Sequence, residues 1–167
     1  GLHCQGRSFV APTLTNVDFS NNRALDRGGG MSTSSSWPTL INVLFSNNSA
    51  RVGGGGMFNE GNPRSSPTLI NLTFVENRAF DVRDSHLGGA AIYNNNLTKP
   101  LIIRNSIFFG NETDEGVVES ILENNSTSSI AFCYFDDTSL PSGSNDEGNN
   151  LLGQADPFKD LANGDLQ

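Results

Sequence analysis

The 167-residue chain is long enough for one domain, yet its 35% hydrophobic content is low for a compact globular core. Its net charge of −8 argues against nucleic acid and anionic membrane as partners, and it holds no apolar run long enough for a transmembrane segment. The charge is divided: residues 1–111 carry nine of the ten basic residues against six acids, while residues 112–167 carry one lysine against twelve acids.

Taken in order, the chain begins with Gly1-Leu2, which matches the end of the Gly-Gly-Gly-Met unit at Gly28-Gly29-Gly30-Met31. This start reads as that of a fragment, or a processed form, of a longer protein. Neighbouring coils of that longer chain, or of an assembly, would then be partners. A signal peptide is absent, which on this reading says nothing about secretion.

A repeat follows. Pro12 to Asn22, Pro38 to Asn48 and Pro67 to Asn77 are near copies, Pro100 to Asn111 is a looser one, and Ile130 to Phe135 a degraded one. Phe19, Phe45, Phe74, Phe108 and Phe135 recur at steps of 26, 29, 34 and 27 residues, a period that signals a solenoid or an array. The phased apolar residues also argue against disorder. Leu14, Leu40, Leu69, Ile103 and Ile130 lie five residues before each Phe; Val17, Val43, Leu72, Ser106 and Cys133 lie two before it. The spacing between these two rows is odd, so a straight strand cannot place both on one face. A corner between them can, and Asn16, Asn42, Asn71 and Asn105 stand there, the residue type that best tolerates a left-handed backbone after Gly. Asn22, Asn48, Asn77 and Asn111 read as a second corner.

A small residue comes next (Ala24, Ala50, Ala79), then a loop, then a Gly run at Gly28-Gly29-Gly30, Gly53-Gly54-Gly55-Gly56 or Gly88-Gly89. A third strand is expected through Met31, Met57-Phe58 and Ile92-Tyr93. The expected fold is all-β: a right-handed parallel β-helix of about five coils over residues 1–135, each of three short strands. The Phe residues would stack inside, and the corner Asn residues would form amide ladders between coils. Propeller blades need four strands and longer repeats, which this period does not supply. The 59–66 and 78–87 stretches read as loops leaving the coil. Beyond residue 111 the pattern weakens. Val117 to Leu122 can still give a strand, residues 136–150 read as loop, and 136–167 form an irregular acidic cap or tail.

The alternation of Phe-x-x-Asn (Phe19/Asn22, Phe45/Asn48, Phe74/Asn77, Phe108/Asn111) with Gly-Gly-x-hydrophobic (Gly29 to Met31, Gly55 to Met57, Gly89 to Ile92) resembles the polymorphic outer membrane protein repeat. That repeat belongs to pectin-lyase-like right-handed β-helices of bacterial surfaces. Ala155-Asp156-Pro157-Phe158, followed by Asn163-Gly164-Asp165-Leu166-Gln167, is similar to the segment closing many secreted β-helix proteins that carry a C-terminal anchoring domain; the hydrophobic residue usual between the Pro and the Phe is absent. The resemblance implies a secreted or bacterial surface or outer-membrane location and an adhesive or structural role. It supplies no activity, because this fold hosts many chemistries.

Few constellations suggest chemistry. Asp81, Asp84 and His86, with Arg83, share the long insertion and are the best catalytic candidates, but a solvated loop is the better reading of them and no catalytic residue is assigned. Asp136-Asp137 is an adjacent pair, but neighbouring strand residues point to opposite faces. No cofactor is expected; Ca²⁺ is the ion that Asp146, Glu147 and Asp156 could hold, without any known calcium-loop spacing. Cys133 falls in an inward row, and four coils separate it from Cys4, so no disulfide is expected between them. Sequons occur at Asn47, Asn71, Asn96, Asn111, Asn124 and Asn125.

Two functions remain. One is a non-enzymatic extracellular scaffold or adhesin, or part of a surface assembly. The other is a polysaccharide-active lyase or hydrolase, or a carbohydrate-binding fragment of one. An exposed groove lined by aromatic residues such as Trp37, Phe58 and Tyr93 would favour the second.

Overall fold

The computed structural model describes residues 1–5, 11–61, 67–80, 88–114 and 120–153. Among these residues there is no helix, and every strand pairing is parallel. Each pairing joins a residue to its equivalent one repeat further along: Leu14 to Leu40, Leu40 to Leu69, Leu69 to Ile103, and Ile103 to Ile130. The strands fall into three sheets. The N-terminal Leu2–Gln5 pairs with Met31–Ser34, so Leu2 stands in register with Met31.

The widest sheet bends. Its strands Thr13–Ser20 and Thr39–Ser46 run through Asn16 and Asn42, which hold φ of 56° and 54°. In the next repeats the same path is split at Asn71 and Asn105, with φ of 58° and 50°, into Thr68–Ile70 and Thr73–Val75, then Leu101–Arg104 and Ile107–Phe109. The left-handed residue turns the chain between the Leu row and the Phe row, so both face inward despite their odd spacing. The Phe rings stack through the interior at centroid distances of 4.9, 4.7, 4.9 and 4.5 Å, nearly parallel. These distances are the spacing of adjacent strands, which is why identical residues in register stack so closely. Met31, Met57, Ile92 and Ile121 line the core from the opposite sheet.

The second corner differs from the sequence expectation. The left-handed residues there are Asn21, Asn47, Glu76 and Gly110, with φ between 53° and 62°. Asn48, Asn77 and Asn111, one position later, are instead buried. The turn leaves backbone groups unpaired inside the fold, and an inward amide can satisfy them where an outward one cannot.

Past this corner the repeat holds a strand that the sequence reading took as a single small residue before a loop. Arg23–Ala24, Ser49–Ala50, Arg78–Ala79 and Glu112–Thr113 pair side by side as a narrow sheet, making four strand segments per repeat rather than three. The Gly runs then lie against one another: the Gly28 and Gly29 amides donate to the carbonyls of Gly53 and Gly54. A Cβ on Gly55 would stand 2.5 Å from the carbonyl oxygens of Ala90 and Arg78, so the close approach itself demands glycine.

The third expected strand is present as Met31–Ser34, Met57–Glu60 and Ile92–Asn95, and continues as Ile121–Asn124. Residues 136–150, read from sequence as loop, contain strand Asn145–Asp146, and Leu151–Leu152 follows. These pair with Ser128–Ala131 and Tyr134–Phe135, so part of a sixth repeat covers the fifth. The sequence hid it because no Phe-x-x-Asn unit marks it.

Candidate functional site

Two features stand apart from the regular repeat, and both come from a substitution in an otherwise uniform column. The first is inside. Cys4, Thr33, Asn59, Asn94 and Glu123 occupy one register column of the five-strand sheet. Thr33 Oγ1 donates to Asn59 Oδ1 at 2.8 Å, Asn59 Nδ2 to Asn94 Oδ1 at 2.8 Å, and Asn94 Nδ2 to Glu123 Oε1 at 2.9 Å. The Ser128 hydroxyl also donates to Glu123 Oε1. The other carboxylate oxygen, Oε2, is buried with no hydrogen-bond partner. Burial pushes the Glu123 carboxyl up to about 7, against the opposing hydrogen bonds from Ser128 and Asn94. Sequence reasoning missed this residue; its signal was the register with Asn59 and Asn94, which becomes visible only once the 115–119 stretch is bridged.

The second feature is outside, on the first corner. The corner column continues from Asn105 to Phe132 and Asn149: the Asn105 amide donates to the Ala131 carbonyl, and the Phe132 amide to that of Gly148. Phe132 holds φ of 56° where the other repeats carry Asn, and its side chain is 59% exposed. Around it lies an open hollow of about 350 Å³, bounded by Asn105, Ile107, Tyr134, Asn149 and Leu151, over the buried Ser106 and Cys133. None of these lining side chains is charged. Elsewhere the outer amides bond along the column, Asn42 Nδ2 to Asn16 Oδ1 at 3.2 Å and Asn71 Nδ2 to Asn42 Oδ1 at 3.1 Å. Among the described residues the Asn105 and Asn149 side chains have no such partner.

The buried amide row is complete by comparison. Asn22, Asn48 and Asn77 each donate from backbone and side chain to the Oδ1 of the next Asn, the last of them Asn111, at 2.9 to 3.1 Å. Asn48, Asn77 and Asn111 also donate to the carbonyls of Phe19, Phe45 and Phe74. The side-chain amides of its buried members Asn48, Asn77 and Asn111 are all bonded within the fold.

The other sequence candidates are less productive. Asp81, Asp84, His86 and Asp156 lie outside the described residues, as do the residues of the closing segment from Ala155 on. Asp146 Oδ1 accepts from the Gly148 amide and Asn150 Nδ2 within the sixth repeat, and Glu147 Oε1 accepts from Ser129 of the fifth. No group of three His, Cys, Asp or Glu residues able to hold a metal occurs among the described residues. Asp136 accepts from the Gly110 amide. Burial, with the Asp136 charge adding to it, raises the Asp137 carboxyl, and Ser120 offsets part of that shift. Both cysteines are free; burial pushes the Cys133 thiol up to about 11, which makes it unreactive.

Of the aromatic strip expected to favour a groove, Trp37 is half-buried and the other two rings are closed off. Phe58 and Tyr93 are buried, their rings tilted at 5.3 Å, and the Arg27 guanidinium lies 5.2 Å from the Phe58 centroid. Among the described residues no helix is long and apolar enough to cross a membrane. No protein-family model, curated protein or solved structure matches the chain.

Proposed function

We propose that the chain is a right-handed parallel β-helix serving as a non-enzymatic scaffold or adhesin of the polymorphic outer membrane protein repeat type, displayed outside the cell or within a surface assembly. The observation that carries this reading is the inward Asn22–Asn48–Asn77–Asn111 row, buried from Asn48 on, in which the side-chain hydrogen bonds join one repeat to the next. A column of this kind holds a stack together and leaves those groups nothing with which to do chemistry. Surface assemblies or other surface proteins are the partners such a scaffold would meet, and neither cofactor nor calcium is required for the row to form.

The alternative, a polysaccharide-active lyase or hydrolase or a binding fragment of one, has the open hollow at Phe132 in its favour. Incubating the chain with a panel of polysaccharides, with and without Ca²⁺, separates the scaffold from the enzyme. The scaffold reading expects no product. New reducing ends or unsaturated products would overturn it. A crystal structure tests the fold, with successive repeats expected at about 4.8 Å along one axis and a right-handed winding.

A further inference from the structure

We infer that the hollow at the outer corner is a subsite for a neutral saccharide, with the Phe132 ring as the platform for a pyranose face and the Asn105 and Asn149 amides as its hydrogen-bonding flanks. The inference deepens the carbohydrate-binding alternative, and it is compatible with a scaffold that carries a binding site.

The argument begins with strain. A left-handed backbone suits Asn and Gly, and a bulky aromatic residue there is an outlier. Phe132 holds it at φ 56° while leaving its ring largely in solvent, so the ring is not kept for the core. Such strain persists where the surrounding structure imposes it, and it points toward a use for the side chain.

The neighbours define that use. Phe132 stands between Asn105 and Asn149 in the corner column, beyond the bonded Asn16–Asn42–Asn71 row, and replaces the Asn of the other repeats. Among the described residues, two planar groups, each with donors and an acceptor, are left without a side-chain partner beside an exposed aromatic face. A pyranose offers the complement: a face of C–H bonds for the ring and hydroxyl groups around its edge for the amides. Charge selects among saccharides. With no charged side chain in the lining, a uronate or a phosphate would lose its water shell without an ionic partner. The volume, at the low end for small-molecule sites, and the open shape suit a short stretch of sugar lying along the surface.

The test is an NMR titration of the ¹⁵N-labelled 167-residue chain with cellohexaose, mannohexaose, chitohexaose and hexagalacturonate. At least one neutral hexaose should move the amide signals of Asn105, Phe132 and Asn149, including the Asn side-chain NH₂ groups. Hexagalacturonate should bind about tenfold more weakly or worse. Phe132→Asn restores the corner residue of the other repeats and so keeps the fold; it should weaken binding by about tenfold or more, as loss of a central aromatic anchor does. Phe132→Tyr should retain it. The inference is overturned by any of four results: none of the neutral probes moves those signals at millimolar concentration, Phe132→Asn binds as tightly as the parent, hexagalacturonate binds as tightly as the best neutral probe, or dilution of the chain alone moves the same signals, which would assign the hollow to a second copy. None of these outcomes bears on the scaffold reading, which the cleavage assay and the crystal structure test separately.

Discussion

The backbone amide and the side-chain amide of Asn48 both donate to Oδ1 of Asn77, each at 3.0 Å. Asn77 therefore holds the preceding repeat by two hydrogen bonds, and through its own Nδ2 it also reaches the Phe45 carbonyl at 2.9 Å. Replacing Asn77 by Ala strands the Asn48 backbone amide and the Phe45 carbonyl in the interior and leaves the Asn48 side-chain amide only its bond to the Phe19 carbonyl. Unsatisfied buried groups cost about 1–3 kcal/mol each, with partial relaxation, so Asn77→Ala should lose on the order of 3 kcal/mol. The outer Asn71 is exposed and left-handed, and Asn71→Gly keeps its backbone freedom. That change should cost less than about 1 kcal/mol. Urea denaturation of the two variants checks the contrast; equal losses would mean that the inner row is not what joins the repeats.

The contrast explains which parts of the fold were legible. The Phe column and the Asn16–Asn42–Asn71–Asn105 corner could be read because a core ring and a left-handed turn each impose one residue type on one position. The second corner was misplaced by one residue because two constraints overlap there. A left-handed residue and an inward amide sit side by side, and in Asn21-Asn22 and Asn47-Asn48 the same residue type meets both. Only Glu76-Asn77 and Gly110-Asn111 separate them, since Glu76 and Gly110 take the turn while Asn77 and Asn111 remain buried. The short strand at Ser49–Ala50 has no alternation to betray it at that length. Of the candidate site, Phe132 was visible only as a residue in a degraded repeat. What makes it unusual is its column, and the column needs the sixth repeat at Asn149 to be recognised.

Gly55 tests the packing of the Gly runs. Its φ is unexceptional, so a substitution there probes space alone, and a Cβ would meet backbone oxygens at 2.5 Å on two sides. Backbone cannot swing away as a side chain does. Gly55→Ala should cost about 2–3 kcal/mol, the upper range for overpacking, measured as a lowered denaturant midpoint with an unchanged slope. An unchanged midpoint would mean that the runs lie further apart than they do here.

Phe132→Asn predicts a gain in stability. The left-handed backbone costs a bulky residue about 1–2 kcal/mol, and Asn less. Against this stands the packing lost by a ring that is 59% exposed, which is small. The net should be a stabilisation of about 1 kcal/mol, seen as a melting temperature higher by about 2–4 °C. A lower melting temperature would show that the ring is held by packing and that its strain serves the fold.

Glu123 predicts how stability depends on pH. Its carboxyl is raised by burial from 4.5 to about 7 in the folded chain. A raised acid favours the folded state while protonated in both states, below about 4.5; that contribution is lost as pH climbs to about 7, after which it is constant. The shift corresponds to about 3 kcal/mol at most, because each pKa unit is worth 1.36 kcal/mol. Glu123→Gln removes the charge, keeps an oxygen for Asn94 and Ser128, and extends the amide column Asn59–Asn94 by one member. The variant should therefore gain on the parent steadily between pH 4.5 and pH 7 and hold that advantage above it. Thermal unfolding of both proteins across this range measures the difference directly, with the other carboxylates cancelling. A difference that stays flat with pH would mean that Glu123 is ionised in the folded chain throughout, and that its buried Oε2 finds a partner in solution.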